Sequence, residues 1–310
     1  MSELGLLAES VWQRIAEYGF YGNAFLGGLA VSLTCSVLSA FVVLRRMAFI
    51  GQGVSHAAFG GVGAAMLAGV ALASVRPTMA RDVIVAAFCI ATAVIIGYLS
   101  RKGKLSEDVA IGIALAAAMA IGVLLLDIRA GWLEELARTG RLDRTELGYT
   151  PSFHDILFGN IYLITGTEVA LAWILAAVVI GAMALTFKEL VFAAFDEETA
   201  TVFGVRTGLM YYGLLVALGL AIVAAMRTVG VVMVSALLVL PGASARYWSG
   251  RIGWVTIISA ALGAVGLTGG LLLTVWLRHN LSPGAVIVLT MTAIFLVSYF
   301  VSAIRRRLKR

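Results

Sequence analysis

An all-α, polytopic transmembrane bundle of about eight or nine spanning helices is predicted by three features of the chain. The composition is 61% hydrophobic and 13% charged, with a mean hydropathy of +0.99, whereas soluble domains carry about 25% charged residues. Continuous apolar segments recur along the length, most of them close to the roughly 20 residues that cross a hydrocarbon core. Basic residues collect in alternate connections between these segments. Strands are excluded, because the apolar runs lack the alternation that a membrane barrel needs. Four prolines and no low-complexity tract leave little room for a disordered linker, so residues 1–310 read as one membrane domain.

The elements follow in order. Residues 1–20 carry Leu4, Leu7, Val11 and Ile15 on one stripe. A short interfacial helix fits this pattern better than a cleavable signal. Nine apolar segments succeed it, at about 21–44, 54–75, 83–100, 109–126, 168–187, 208–226, 230–245, 252–277 and 284–304. The basic tail Arg305-Arg306-Arg307-Leu308-Lys309-Arg310 belongs in the cytoplasm, and counting back through nine spans puts the N-terminus outside. The inner face then holds 14 of the 23 Lys and Arg residues, among them Arg45, Arg46, Arg101, Lys102, Lys188, Arg206, Arg246 and Arg251. The outer face holds 11 of the 17 acids. The net charge of +6 is therefore a topological bias, and no nucleic-acid partner is needed to explain it. Cys35 and Cys89 lie in apolar runs outside any metal-ligand spacing and read as small core residues.

Three connections stand out. Residues 127–160 form an extended outer loop, in which Gly131–Arg138 is predicted as a short helix lying on the interface or against an outer partner. In the cytoplasmic connection 187–207, Asp196 is a natural N-cap, acids follow in the first turn, and Gly204 closes the end. A short amphipathic helix over 194–205 follows, acting as a tether between spans or as a docking helix for a cytoplasmic subunit. Near 241, Pro241-Gly242 is predicted to kink or end its helix, and the freed backbone groups must be buried in protein or line a cavity.

The chain holds no GxxxxGK[ST] phosphate loop, no HExxH and no paired intramembrane carboxylates. ATP binding and hydrolysis are thus expected on a separate subunit, and the chain itself is read as non-enzymatic. No acid, lysine or arginine falls inside a predicted span away from its ends, so coupling energy must come from outside the chain.

His56 is the ionisable exception. It lies ten residues beyond Arg46, about 15 Å deeper at 1.5 Å per residue. A histidine bonded between helices and a transient cation ligand both fit it. Gln52, one turn earlier, shares its face and can offer a carbonyl oxygen. Gly60 and Ala64 continue that face with almost no side chain, as if to leave volume for an ion. A second ladder, Gly53, Ala57, Gly61, Ala65 and Gly69, has the small-residue spacing that lets helices approach closely in a bilayer. His154 and His279 read as solvated outer residues.

Several ordered stretches resemble one family. They are Arg45-Arg46-Met47-Ala48-Phe49-Ile50-Gly51 with Gly53-Val54-Ser55-His56-Ala57, Phe158-Gly159-Asn160, and Phe195-Asp196-Glu197-Glu198 with Ala200 and Gly204-Val205. To these add Val229-Gly230-Val231-Val232-Met233-Val234-Ser235 through Leu240-Pro241-Gly242-Ala243-Ser244-Ala245-Arg246, and Leu281-Ser282-Pro283-Gly284. Over about residues 20–304 the chain is similar to the membrane permeases of zinc, manganese and iron ABC importers.

The resemblance implies a bacterial plasma-membrane permease, dimeric and expected as a homodimer. It further implies cytoplasmic P-loop ATPase partners, docked through Phe195, Asp196, Glu197, Glu198, Ala200 and Gly204, and an extracytoplasmic metal-binding protein. No cofactor is held permanently; the divalent metal is cargo. His56 matches the family's path histidine, whereas Gln52 stands where the family commonly has aspartate, which weakens a hard-oxygen site for manganese. An importer of chelated metal or a small cofactor is the alternative that Gln52 supports, and a non-transporting assembly subunit is a third.

Overall fold

The computed structural model describes residues 19–71, 78–103, 105–139, 161, 164–277 and 281–308. The stretch before residue 19, Phe158-Gly159-Asn160, His154 and His279 lie outside them. Among the described residues no strand occurs. The helices are α1 (Gly19–Leu44), α2 (Ala48–Ala71), α3 (Thr78–Arg101), α4 (Glu107–Arg138), α5 (Gly166–Leu185), α6 (Phe187–Phe195), α7 (Glu197–Val202), α8 (Thr207–Leu237), α9 (Leu240–Ala245), α10 (Ile252–Leu277) and α11 (Pro283–Leu308). Seven helices are long and apolar enough to cross a membrane: α1, α3, α4, α5, the first part of α8, α10 and α11. The polytopic helical bundle expected from composition is the fold observed.

Glycine contacts give the direction of each pass. A Cβ on Gly53 would meet Ile111, on Gly60 the Ala118 carbonyl, and on Gly63 the Gly122 carbonyl, so α2 and α4 run parallel. Gly61 faces Val85, and Gly97 faces Leu215 and Tyr211, so α3 runs against both α2 and α8. Gly28 faces Leu267, and Gly270 faces Ile287, so α10 opposes α1 and α11. Arg45, Arg101, the α6–α7 turn and the C-terminal end of α11 consequently share one end of the bundle.

Gly230 turns the chain. Its φ of 77° and ψ of 162° interrupt α8, in a region that L-residues with a Cβ rarely enter. The segment beyond it returns toward the Arg45 end: Ser235 bonds Ser55 at 3.1 Å, Leu238 packs on Gly51, and the Gly242 amide donates to Ser39 Oγ at 2.9 Å. Residues 230–245, read from sequence as one span, are thus a broken return, with α8 ending at Leu237 and α9 starting at Leu240. Pro241 in the first turn of α9 lacks the amide hydrogen that a continuous helix would need there. Ser39 Oγ, accepting from the Gly242 amide, satisfies the interruption from inside the protein. Counting this return and α2, the described chain makes nine traversals, and α1 starts at the end opposite to where α11 finishes.

Residues 131–138 are not a separate interfacial helix. They are the last turns of α4, which runs unbroken for 32 residues, about 48 Å at 1.5 Å per residue against a core of about 30 Å. Gly131 alone costs too little to break it, an Arg138–Glu134 pair at 2.8 Å supports the final turn, and Thr139 caps it through the Glu135 carbonyl.

Candidate functional site

Two faces of α2 define the intramembrane candidate. One is buried: Gly53, Gly60, Gly61 and Gly63 pack on α3 and α4, and Val54, Ala57, Ala58 and Val62 are buried with them. The other is open: Phe49 is 60% exposed, Gln52 is exposed, and His56 and Phe59 are half-buried. The small-residue ladder is used for close packing from Gly53 to Ala65, while Gly69 has open space beside it. Gly60 belongs to this packed set. A Cβ there would meet the Ala118 carbonyl and the Phe88 ring, both at 2.7 Å. Its smallness admits α4 and α3, and the volume assigned to an ion beside Gly60 is filled by protein.

Gln52 and His56 do come together, but through the main chain. His56 Nδ1 lies 2.9 Å from the Gln52 backbone carbonyl. A carbonyl only accepts, so Nδ1 carries the proton and Nε2 keeps its lone pair. Metal-binding histidines are commonly held in one tautomer by such a bond on the other nitrogen. Ser55 Oγ donates to the same carbonyl at 3.1 Å and meets Ser235 on the return segment, fixing the turn of α2 that carries His56. The Gln52 amide itself is left on the open face. Among the described residues no three His, Cys, Asp or Glu side chains gather; His56 offers one nitrogen.

The second candidate lies at the Arg45 end. Asp196 is the N-cap of α7: its Oδ1 accepts from the Thr199 amide at 2.9 Å. The Thr199 hydroxyl and amide together hold its carboxyl below the usual aspartate range. Gly204 follows the helix at φ 83°, and Val205 N returns to the Ala200 carbonyl at 2.9 Å. The six residues named from the sequence divide here. Ala200 is fully buried and Glu197 pairs with Arg101, so these two hold α7 against the bundle. Phe195, Asp196, Glu198 and Gly204 are exposed. The sequence reading missed Val202 and Phe203, exposed by 85% and 75%. Their signal was an apolar pair closing a polar helix at a cytoplasmic connection.

Between α7 and the α1–α2 corner lies a cavity of about 420 Å³ lined by Arg45, Arg46, Arg101, Glu107, Glu197 and Tyr211 among others. The Arg45 and Arg101 guanidiniums lie 5.8 and 5.0 Å from the centre of the Tyr211 ring, and the Tyr211 hydroxyl donates to Glu107 at 3.5 Å. Arg45 Nε and Nη2 are buried without a hydrogen-bond partner. Burial, above all, pulls the Arg45 pKa below its ordinary value. The node brings α7 together with α3, α4, α6, α8 and the corner that leads into α2.

Comparison with known proteins decides the class. The profile of the ABC 3 transport family matches residues 17–302. The chain belongs to that family. A manganese transport system membrane protein, MntC, of Listeria monocytogenes is 28% identical over 287 residues, covering 93% of this chain and 92% of that one. A probable iron transport system membrane protein of Haemophilus influenzae is 30% identical, covering 94% and 97%. The structure of PsaBC from Streptococcus pneumoniae in complex with Fab superposes with a TM-score of 0.76 at 26% identity, covering 97% and 99%. An inward-facing putative metal-chelate type ABC transporter shares the fold alone, with a TM-score of 0.61 at 15% identity. This family member is the multi-span, non-catalytic permease subunit of an ABC transporter, and hydrolysis belongs to a separate subunit.

Proposed function

We propose that this permease imports a divalent transition-metal ion, of the zinc, manganese and iron group, across a bacterial plasma membrane. The observation that carries this reading is His56: a nitrogen ligand with a fixed tautomer and a free Nε2, on an exposed helix face at mid-bundle. The relatives named for manganese and iron transport support the substrate class.

A single imidazole makes a weak site, which suits an ion in transit. Facing a second copy of the chain across the open face of α2 would double the ligands, so a homodimer with the path between copies follows. The basic end is cytoplasmic by the positive-inside bias. Phe195, Glu198, Val202 and Phe203 present the contact to a P-loop ATPase, and metal arrives from a binding protein on the other side. Gln52 adds a neutral oxygen where a carboxylate would add charge, which favours metals content with nitrogen.

The test uses the complex reconstituted with its ATPase and binding protein. Metal-stimulated ATPase activity and uptake should fall at least tenfold in His56→Ala with assembly intact, and Gln52→Asp should shift preference toward manganese. Full uptake by His56→Ala would refute the path. Uptake of chelated metal only would favour the chelate importer.

A further inference from the structure

We propose that the turn between α9 and α10, together with the last turns of α11, forms a binding site for anionic phospholipid headgroups. The charge pattern is the first observation. After Glu198 the sequence holds ten Lys and Arg residues and no Asp or Glu. Six of the ten are exposed at one end of the bundle, and five of these, Arg246, Arg251, Arg305, Arg306 and Arg307, lie on the α9–α10 turn and the end of α11. Among the described residues none of the five pairs with a carboxylate; Arg101–Glu197 and Arg138–Glu134 involve other arginines.

The second observation is that the patch is built. The Tyr247 ring packs edge-on to Phe295 and Tyr299 at 5.9 and 5.7 Å. Trp248 Nε1 donates to Ser298 Oγ at 3.0 Å. The Arg305 guanidinium lies 5.2 Å from the centre of the Trp248 ring, a cation–π distance. These contacts clamp the turn onto α11 and gather its arginines with those of the helix end. The third observation is depth. α11 has 26 residues, about 39 Å against a hydrocarbon core of about 30 Å, so its last turn emerges at headgroup level. Trp248, Tyr299, Phe300 and Ile304 are 43%, 46%, 58% and 57% exposed beside the cations. Aromatic and aliphatic surface bordering un-neutralised arginines matches an acyl–headgroup boundary. An acidic protein surface would satisfy the charge but leave the apolar border in water.

This inference rests on the cytoplasmic placement of that end, which has its own check. The thiol of Leu308→Cys should resist a membrane-impermeant thiol reagent in intact cells, with Cys35 and Cys89 buried and silent. For the lipid site, the whole complex is purified from membranes containing phosphatidylglycerol and phosphatidylethanolamine, and the retained lipids are weighed by mass spectrometry. The wild-type complex should be enriched in phosphatidylglycerol. Replacing Arg246, Arg251 and Arg305 each by Gln should cut that enrichment at least fivefold. Replacing only Arg306 and Arg307, exposed on the final turn, should cut it at least twofold and guards against misfolding of the first variant. Lys188→Gln with Arg206→Gln, at the same end, should leave it unchanged. Unchanged enrichment in both arginine variants overturns the proposal. So does an equal loss in the Lys188 and Arg206 control, or a loss of the ATPase subunit in place of lipid.

Discussion

The two faces of α2 differ as much as any two surfaces of this molecule. On one, Gly53, Gly60, Gly61 and Gly63 bring backbone against α3 and α4 until no Cβ fits. On the other, Phe49, Gln52 and His56 stand open. Tight packing is what makes the open face useful. A helix locked on one side presents its imidazole at a fixed height and angle, and small residues achieve this in a bilayer where the hydrophobic effect gives helices no reason to associate. Buried packing residues and open residues therefore alternate along a single turn, and a substitution one position away changes category.

The largest expected effect breaks the closed face. Gly60→Leu drives a branched side chain into the Ala118 carbonyl and the Phe88 ring, at a cost of about 3 kcal/mol or more. Thermal unfolding in detergent should show a loss of several degrees or failure to assemble. His56→Ala, four residues away on the open side, should change stability by no more than about 0.5 kcal/mol while cutting transport at least tenfold. If both variants lost stability equally, the division between faces would be wrong.

α7 repeats the division on a smaller scale, with Ala200 buried and Val202 and Phe203 open. Its order depends on Asp196 capping the Thr199 amide. Because hydrogen bonding depresses this carboxyl in the folded chain, its contribution is present above the ordinary aspartate pKa. The contribution is lost as pH falls through the depressed folded value. The protection factor of the Thr199 amide, its exchange relative to the intrinsic rate at each pH, should fall in acid for the wild type, and Asp196→Asn should flatten that dependence.

Much of this was legible before any coordinates. Long apolar runs and alternate basic connections gave the bundle and the shared end of Arg45, Arg101 and the tail, because bilayer thickness and charge bias act on sequence directly. Asp196 and Gly204 were legible because capping is local. The role of Gly60 was not, since a small residue on a helix face reads alike whether it admits an ion or a neighbouring helix. The reversal between the spans at 208–226 and 230–245 was legible from the apolar pattern, but its execution by Gly230 alone, with no loop, was not. One glycine among many carries the turn, and only Ser55, Gly51 and Ser39 on other helices reveal it. Nor could spacing say that His56 meets the backbone of Gln52 and leaves its amide free.

The smallest expected effect concerns the corner that sets both faces of α2. α1 ends with Arg46 N bonding the Val43 carbonyl at 3.3 Å and Met47 N bonding Val42 at 2.9 Å. This is the pattern of a glycine-type helix terminus, yet the left-handed residue, at φ 60°, is Arg46. A non-glycine there carries a penalty of about 1 kcal/mol. Arg46→Gly should therefore raise stability by about that amount, read as a small upward shift in melting temperature. It also removes an arginine from the cavity shared with Arg101 and Glu197. If the strained residue is kept for coupling, the more stable variant should show metal-stimulated ATPase activity reduced by a few-fold. If activity is unchanged, the corner is only a hinge point for α2, and Arg46 is not needed for coupling.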